Sequence, residues 1–251
     1  MEVIITRAVG SDIMKYFDLH SHFLPGIDDG CKNFQESLQV LLESKKQEVI
    51  GIAATPHYYP KETVDDFLKR RNDSYQQLSK YLLQENKEIP DICLGAEVAY
   101  RTGISKEPKL QELCYGKSEF ILLELPFTKW NSGILYDIEQ ICLVHGLIPV
   151  IAHLERYAGY QDKKVLNELM DMNVLIQMNA EYYLDFWNRG SAKKKILKQQ
   201  VQVLGSDCHN LDRRSPNIGI AADMMKKKGL EKELLAIMEQ NREIFVAASY
   251  K

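Results

Sequence analysis

The chain has 251 residues, 45% of them hydrophobic and 27% charged, a soluble globular balance that excludes an intrinsically disordered protein. Its 32 Lys+Arg and 35 Asp+Glu leave a formal net charge of −3, which argues against a nucleic-acid binder held by phosphate neutralisation. No apolar run approaches the ~18 residues of a membrane span. Met1–Tyr16 has no signal-peptide core, and five dispersed cysteines without a C-x-x-C suit free thiols in a reducing cytosol. The expectation is a cytoplasmic protein without membrane insertion.

Met1–Ile13 precede the patterned part of the chain and read as an N-terminal extension. Tyr16–Leu19 is the first predicted strand. Asn33, with Glu36 three residues on, predicts a helix start before Phe34, Leu38, Leu41 and Leu42. Ile50–Ala54 is the second strand, and Glu62–Asn86 carries a helical stripe of Val64, Phe67, Leu68, Tyr75, Leu78 and Leu82. Strands follow at Ile92–Gly95 and Phe120–Leu123, then a helix over Asn131–His145 that stops at Gly146. Ile148–Ala152, Val174–Met178 and Val201–Gly205 complete the strands. Helices are expected around Lys163–Met172, Ser191–Gln200, Ser215–Lys228 and Leu230–Glu243. Seven strands alternating with helices imply parallel β-α units. With no linker, repeat or composition shift, residues 14–251 read as a single α/β barrel. Lys193-Lys194-Lys195 and Lys226-Lys227-Lys228 read as solvated helix faces.

Barrels of this kind carry their chemistry where strands end. The predicted ends read Asp18-Leu19-His20-Ser21-His22, Thr55-Pro56-His57, Gly95-Ala96-Glu97, Leu123-Glu124, Ala152-His153 and Ser206-Asp207-Cys208-His209. Five of the six histidines fall there. In an extended strand His20 and His22 face the same side and can grip one ion. A carboxylate such as Glu124 beside a barrel core must be neutralised, paired or metal-bound. Five imidazoles with several carboxylates at one mouth point to metal binding. His145, at a helix end before Gly146, reads instead as a C-terminal cap or dipole residue. The sixth strand ends at Gln177-Met178-Asn179, without a strong ligand.

These residues together resemble a known family. Asp18-Leu19-His20-Ser21-His22-Phe23-Leu24-Pro25-Gly26-Ile27-Asp28-Asp29-Gly30 is similar to the opening motif of the polymerase-and-histidinol-phosphatase (PHP) domain tyrosine phosphatases of bacterial capsule and exopolysaccharide loci, the CpsB/YwqE type. Ala54-Thr55-Pro56-His57, Gly95-Ala96-Glu97, Ile148 to Tyr157, and Gly205-Ser206-Asp207-Cys208-His209-Asn210 resemble its later motifs, in order. The resemblance implies a distorted (β/α)7 TIM-like barrel of the PHP superfamily holding three divalent ions. It places His20, His22, Glu97 and Asp207 on one, Glu97, Glu124 and His153 on a second, and Asp29, His57 and His209 on a third. Within the Asp28-Asp29 pair the assignment stays open. Arg156 and Arg214 match the positions that hold and clamp the substrate phosphate in catalysis. Mixed N/O ligation suits Mn, Fe, Zn or Co without choosing among them, and such ions acidify water and attract a phosphate dianion.

The implied activity is metal-dependent hydrolysis of phosphotyrosine. The implied partner is a phosphotyrosine protein, the tail of a bacterial tyrosine kinase that controls capsule synthesis. The alternative is a PHP phosphoesterase acting on a small phosphomonoester such as histidinol phosphate, or on a nucleotide. A metal-stabilised scaffold without activity is a further, weaker reading. Cys208 and Arg214 also satisfy C-x5-R, the spacing of thiol phosphatases, but the intervening residues lack the glycines that let successive N–H groups cradle phosphate. Leu154 stands where the family commonly has proline, Cys208 where it has a small residue, and Arg242 where a proline follows the asparagine. Tyr58, Tyr59, Tyr157 and Tyr160 are candidates to line the mouth, or ordinary packing aromatics; Tyr182 and Tyr183 are equally open.

Overall fold

A computed structural model describes residues 14–59 and 61–249. The expected extension, Met1–Ile13, lies outside the described residues. Among the described residues nine strands occur: β1 (Tyr16–Asp18), β2 (Val49–Ala54), β3 (His57–Tyr58), β4 (Asp91–Leu94), β5 (Glu97–Ala99), β6 (Phe120–Glu124), β7 (Ile148–Ile151), β8 (Leu175–Asn179) and β9 (Val203–Gly205). Every pairing is parallel, in the orders β1-β2-β4 and β3-β5-β6-β7-β8-β9.

The nine strands make seven staves. Thr55-Pro56 separates β2 from β3, and Gly95-Ala96 separates β4 from β5. Proline cannot donate to a ladder, so a regular strand stops there. The main chain nevertheless runs on, with Gly95 N donating to Ala54 O at 2.8 Å and Glu97 N to Pro56 O at 3.1 Å. The seven expected strands are therefore present, and two of the staves run on past the expected ends as β3 and β5.

The seam between β9 and β1 closes the barrel irregularly. Asp207 N donates to His20 O at 2.7 Å, His22 N to Cys208 O at 2.8 Å, and Ser21 pairs with Cys208 in an isolated parallel bridge. Buried Asn241 fastens the lower end, its Nδ2 donating to Phe17 O at 2.7 Å and Leu204 O at 2.8 Å. At the end of β4 the turn at Gly116 donates its N–H to Leu94 O at 2.7 Å. Only glycine fits there, because φ is +52° and a Cβ would meet Ala248 O at 2.1 Å.

Helices α1 (Phe34–Lys46), α2 (Val64–Glu85), α3 (Ser132–His145), α4 (Lys163–Met170), α5 (Ala180–Leu184), α6 (Arg189–Leu197), α7 (Ile218–Lys227) and α8 (Glu231–Ser249) surround the staves. The Asn33 side chain accepts from Glu36 N at 2.9 Å, as the sequence predicts, and Gly146 ends α3 in the left-handed region. His145, in the last turn of α3, donates from Nε2 to Ser105 O at 2.7 Å, so its imidazole ties α3 to the turn over Ile104–Lys106 rather than capping a carbonyl of its own helix. No described helix is long and apolar enough to cross a membrane.

The barrel interior is filled from below. Leu19, Ala53, Leu122, Val150, Ala152 and Val203 are buried with Phe17, Tyr115 and Phe245. Phe17 and Phe245 meet at 5.3 Å beneath the staves. That apolar plug leaves only the C-terminal ends of the strands for polar side chains.

Candidate metal centre

All nine residues expected as ligands reach that end. His20 and His22 lie on one side of the extended segment after β1, and the oxygen acceptor beside each Nδ1 assigns that nitrogen the ring proton. His20 Nδ1 donates to Gln177 Oε1 at 3.1 Å, and His22 Nδ1 donates to Asp28 Oδ2 at 2.8 Å. Each Nε2 is left as a lone pair, and the two face each other at 3.2 Å. Two acceptors at that distance need a cation between them, whether proton or metal.

Glu97, at the start of β5, completes this arrangement. Its Oε2 is buried without a hydrogen-bond partner. Around it stand His20 Nε2 at 3.3 Å, His22 Nε2 at 3.3 Å and His57 Nδ1 at 2.9 Å. His57 Nδ1 is likewise unpartnered. Asp207 Oδ1 lies 3.5 Å from His20 and 3.4 Å from His22. On the other side, His153 Nε2 is 3.0 Å from Glu97 Oε1 and 3.3 Å from Glu124 Oε1. Burial opposes charge on His153, yet Glu124 and Glu97 raise its pKa to about 9. A buried carboxylate oxygen without a hydrogen-bond partner, ringed by imidazole nitrogens, fits divalent metal ions.

A third group combines His22, Asp29, His57 and His209. Asp29 Oδ1 lies 3.4 Å from His57 Nε2 and 3.2 Å from His209 Nε2. The two carboxylates of the Asp28-Asp29 pair are placed differently. Asp29 projects into the cluster, whereas Asp28 turns inward to His22 Nδ1 and accepts from the N–H groups of Gly30 and His57. Burial raises the Asp28 carboxyl, but those partners outweigh it and hold it at about 2. His209 Nδ1 donates to Asp207 O at 3.0 Å, which turns Nε2 outward. Burial, His22 and Arg214 lower its pKa to about 4, so it is a neutral imidazole.

Arg156 and Arg214 both reach the cluster. Arg156 Nη2 donates to Asp207 Oδ2 at 2.6 Å, and Arg214 Nη2 to Asp207 Oδ1 at 2.5 Å. Arg214 Nη1 also donates to His209 Nε2 at 2.7 Å. Both guanidinium groups are part-exposed at the mouth. Leu154 is buried and opens a 3-10 turn over Leu154–Gly159, so the missing proline leaves Arg156 in place. Cys208 is fully buried, and burial pushes its thiol well up, so it offers no thiolate to the mouth.

β8, the sixth stave, which lacks a ligand, contributes the outer layer that sequence reasoning misses. Gln177 Oε1 accepts from both His20 Nδ1 and His153 N, the latter at 2.8 Å. Gln177 Nε2 donates to Asn179 Oδ1 at 2.8 Å, and Asn179 Nδ2 to Asp207 Oδ2 at 2.9 Å. Of the aromatic candidates, Tyr58, Tyr157 and Tyr183 are buried in the core, whereas Tyr59 and Tyr160 stay exposed. Phe127, which carries no sequence signal, joins them at the mouth, stacked on His153.

The family model for capsular polysaccharide synthesis, CpsB/CapC, matches residues 16–247. The chain belongs to the CpsB/CapC family. It is 30% identical to the tyrosine-protein phosphatase CpsB of Streptococcus pneumoniae, over 91% of this chain and 98% of that protein. It is 24% identical to the tyrosine-protein phosphatase YwqE of Bacillus subtilis, over 91% of each. A crystal structure described as that of YwqE from Bacillus subtilis and CpsB from Streptococcus pneumoniae, unique metal-dependent tyrosine phosphatases, superposes with a TM-score of 0.79 at 21% identity, covering 92% of this chain and 94% of that one. A phosphotriesterase homology protein from Escherichia coli shares the fold more distantly, with a TM-score of 0.54 over 93% of this CpsB/CapC chain and 99% of its own.

Proposed function

We propose that this CpsB/CapC protein is a metal-dependent protein tyrosine phosphatase acting on the tail of a bacterial tyrosine kinase that controls capsule or exopolysaccharide synthesis. The observation that carries this reading is the buried, partnerless Oε2 of Glu97, facing three imidazole nitrogens beside two arginines. The names borne by its relatives supply the substrate class. The protein acts in the cytosol, as one metallophosphatase barrel over residues 14–251.

Three ions would be held, by His20, His22, Glu97 and Asp207, by Glu97, Glu124 and His153, and by Asp29, His57 and His209. When bound, such ions lower the pKa of water and offset phosphate charge. The chain's own residues do the rest. Arg156 and Arg214 turn spare N–H donors toward the phosphate oxygens while remaining on Asp207, since a guanidinium has five donors. Those contacts strengthen as charge grows on the oxygens in the transition state. Asp28 and Gln177 keep the His22 and His20 lone pairs aimed at the cluster. A phenolate leaves readily, its conjugate acid having a pKa of about 10.

The test is turnover of a phosphotyrosyl peptide, histidinol phosphate and a DNA 3′-phosphate by protein stripped of metal and reloaded with Mn, Fe, Zn or Co singly. The reading requires metal-restored activity with the peptide preferred. It also requires Glu97→Gln to lose at least about a hundredfold and Cys208→Ser to keep its rate. Preference for histidinol phosphate, or chelator-resistant activity lost in Cys208→Ser, overturns it.

A further inference from the structure

Two aromatic rings at the mouth play no part in holding a cation, yet each lies on an imidazole of the cluster. Tyr59 follows β3 directly and stacks on His57, with ring centroids 5.2 Å apart and planes 26° apart. Phe127, in the loop after β6, stacks on His153 at 5.7 Å and 25°. Phe127 is fixed from beneath by buried Tyr157 at 5.5 Å, whose hydroxyl accepts from Leu125 N. Tyr160 adds a further ring at 6.3 Å.

These rings stand on opposite sides of one site. The sheet order β3-β5-β6-β7 puts Glu97 of β5 and Glu124 of β6 between His57 on β3 and His153 after β7. His57 and His153 both face those two carboxylates. Tyr59 and Phe127 thus flank the floor on which a phosphate would sit. Both keep much surface open to solvent, 48% for Tyr59 and 39% for Phe127. Covering an imidazole needs only an apolar side chain, and a leucine would do it without leaving ring surface in water. Paired exposed rings at a polar mouth mark a surface that meets a ligand.

We propose that Tyr59 and Phe127 are specificity-determining walls that select aryl over alkyl phosphomonoesters by packing against the ring that bears the phosphate. This rests on the phosphatase reading above. A phosphate held by Arg156 and Arg214 places its ester group between the two walls. An aromatic ring there offers faces and edges to both, in offset or edge-on contact, whereas a flexible alkyl group offers neither.

The experiment uses the metal-loaded protein and the variants Tyr59→Leu and Phe127→Leu, which keep apolar cover and remove the ring. kcat/KM is measured for a phosphotyrosyl peptide and for phosphoserine, with metal content determined for each sample. Binding of phenylphosphonate and methylphosphonate, which are not hydrolysed, is measured by calorimetry. The aryl-to-alkyl ratio falls between about threefold and tenfold in each variant, and phenylphosphonate loses its advantage over methylphosphonate in parallel. An unchanged ratio, or equal losses on both substrates, overturns the proposal. If the parent hydrolyses no phosphomonoester, the phosphatase reading fails. The phosphonates still decide the walls, because phenylphosphonate bound no tighter than methylphosphonate would sink them.

Discussion

Gln177 ties together three pieces of chain that are far apart in sequence. Its carbonyl oxygen holds His20 Nδ1 and His153 N, and its amide reaches Asp207 through Asn179. Replacing it with leucine frees the His20 tautomer and leaves two donors unpaired. Metal affinity of Gln177→Leu should fall roughly 10- to 100-fold, as for other outer-layer partners of ligating histidines. Metal retained after dialysis reads this directly, and undiminished retention would contradict the positioning role. At this scale the sequence is legible where residue type carries the signal. His20 and His22 share a face because strands have a period of two, and the same alternation buries Tyr58 and exposes Tyr59. Gln177 and Asn179 were illegible, since an amide in a strand looks the same whether it is packed or in the outer layer. Phe127 sits in a loop, where no periodicity gives a side chain a direction.

Among the elements, α3 shows how a helix is anchored beside the site without belonging to it. Asp137, buried on α3, accepts from Tyr100 OH at 2.8 Å, Gly103 N at 2.8 Å and Ser105 Oγ at 2.7 Å. Burial raises its carboxyl, but these donors outweigh burial and bring it below the ordinary 3.8. A depressed folded-state pKa contributes stability that is present above the unfolded value and lost as pH falls through the folded one. Asp137→Asn should therefore cost about 2 kcal/mol at pH 7, with the gap to the parent closing below pH 3.8. Urea midpoints across that range check the sign; a gap that widens in acid would refute the assignment. The elements were legible wherever periodicity ran long, as in α2 and α3. β3 and β5 were not, because Thr55-Pro56 and Gly95-Ala96 cut their staves into pieces too short to show a pattern. The brief helix α5 was lost for the same reason.

For the whole molecule, the decisive joint is the seam where β9 meets β1. Gly205 there lies against the first strand, and a Cβ would come within 2.6 Å of His20 Cβ and 3.0 Å of Gln177 Nε2. Gly205→Ala should cost about 1–3 kcal/mol and weaken metal retention together, since the same contact displaces His20. Normal retention in a destabilised variant would separate the two effects and contradict this coupling. Metal binding itself reports on closure, because the site exists only in the folded chain. Mn2+ at roughly one hundred times its Kd should stabilise the protein by about 2.7 kcal/mol, read as a rise in Tm that chelator reverses. The barrel as a class was legible from alternating strands and helices. Its seam was not, because it is irregular: one isolated bridge and a few hydrogen bonds, with Asn241 from α8 fastening the end.

That seam also sets when the protein can first work during its own synthesis. Asp18 accepts from Ser206 N at 2.9 Å, and His20 and His22 meet Asp207 across the same join. The first imidazoles leave the ribosome about three-quarters of the chain ahead of the aspartate that joins their cluster. A nascent or truncated chain that stops before Asp207 lacks two of the nine proposed ligands, Asp207 and His209. On the proposed ligand set, chemistry would wait for β9 to dock against β1, so a chain cut short of that stave would be folded in part and inactive.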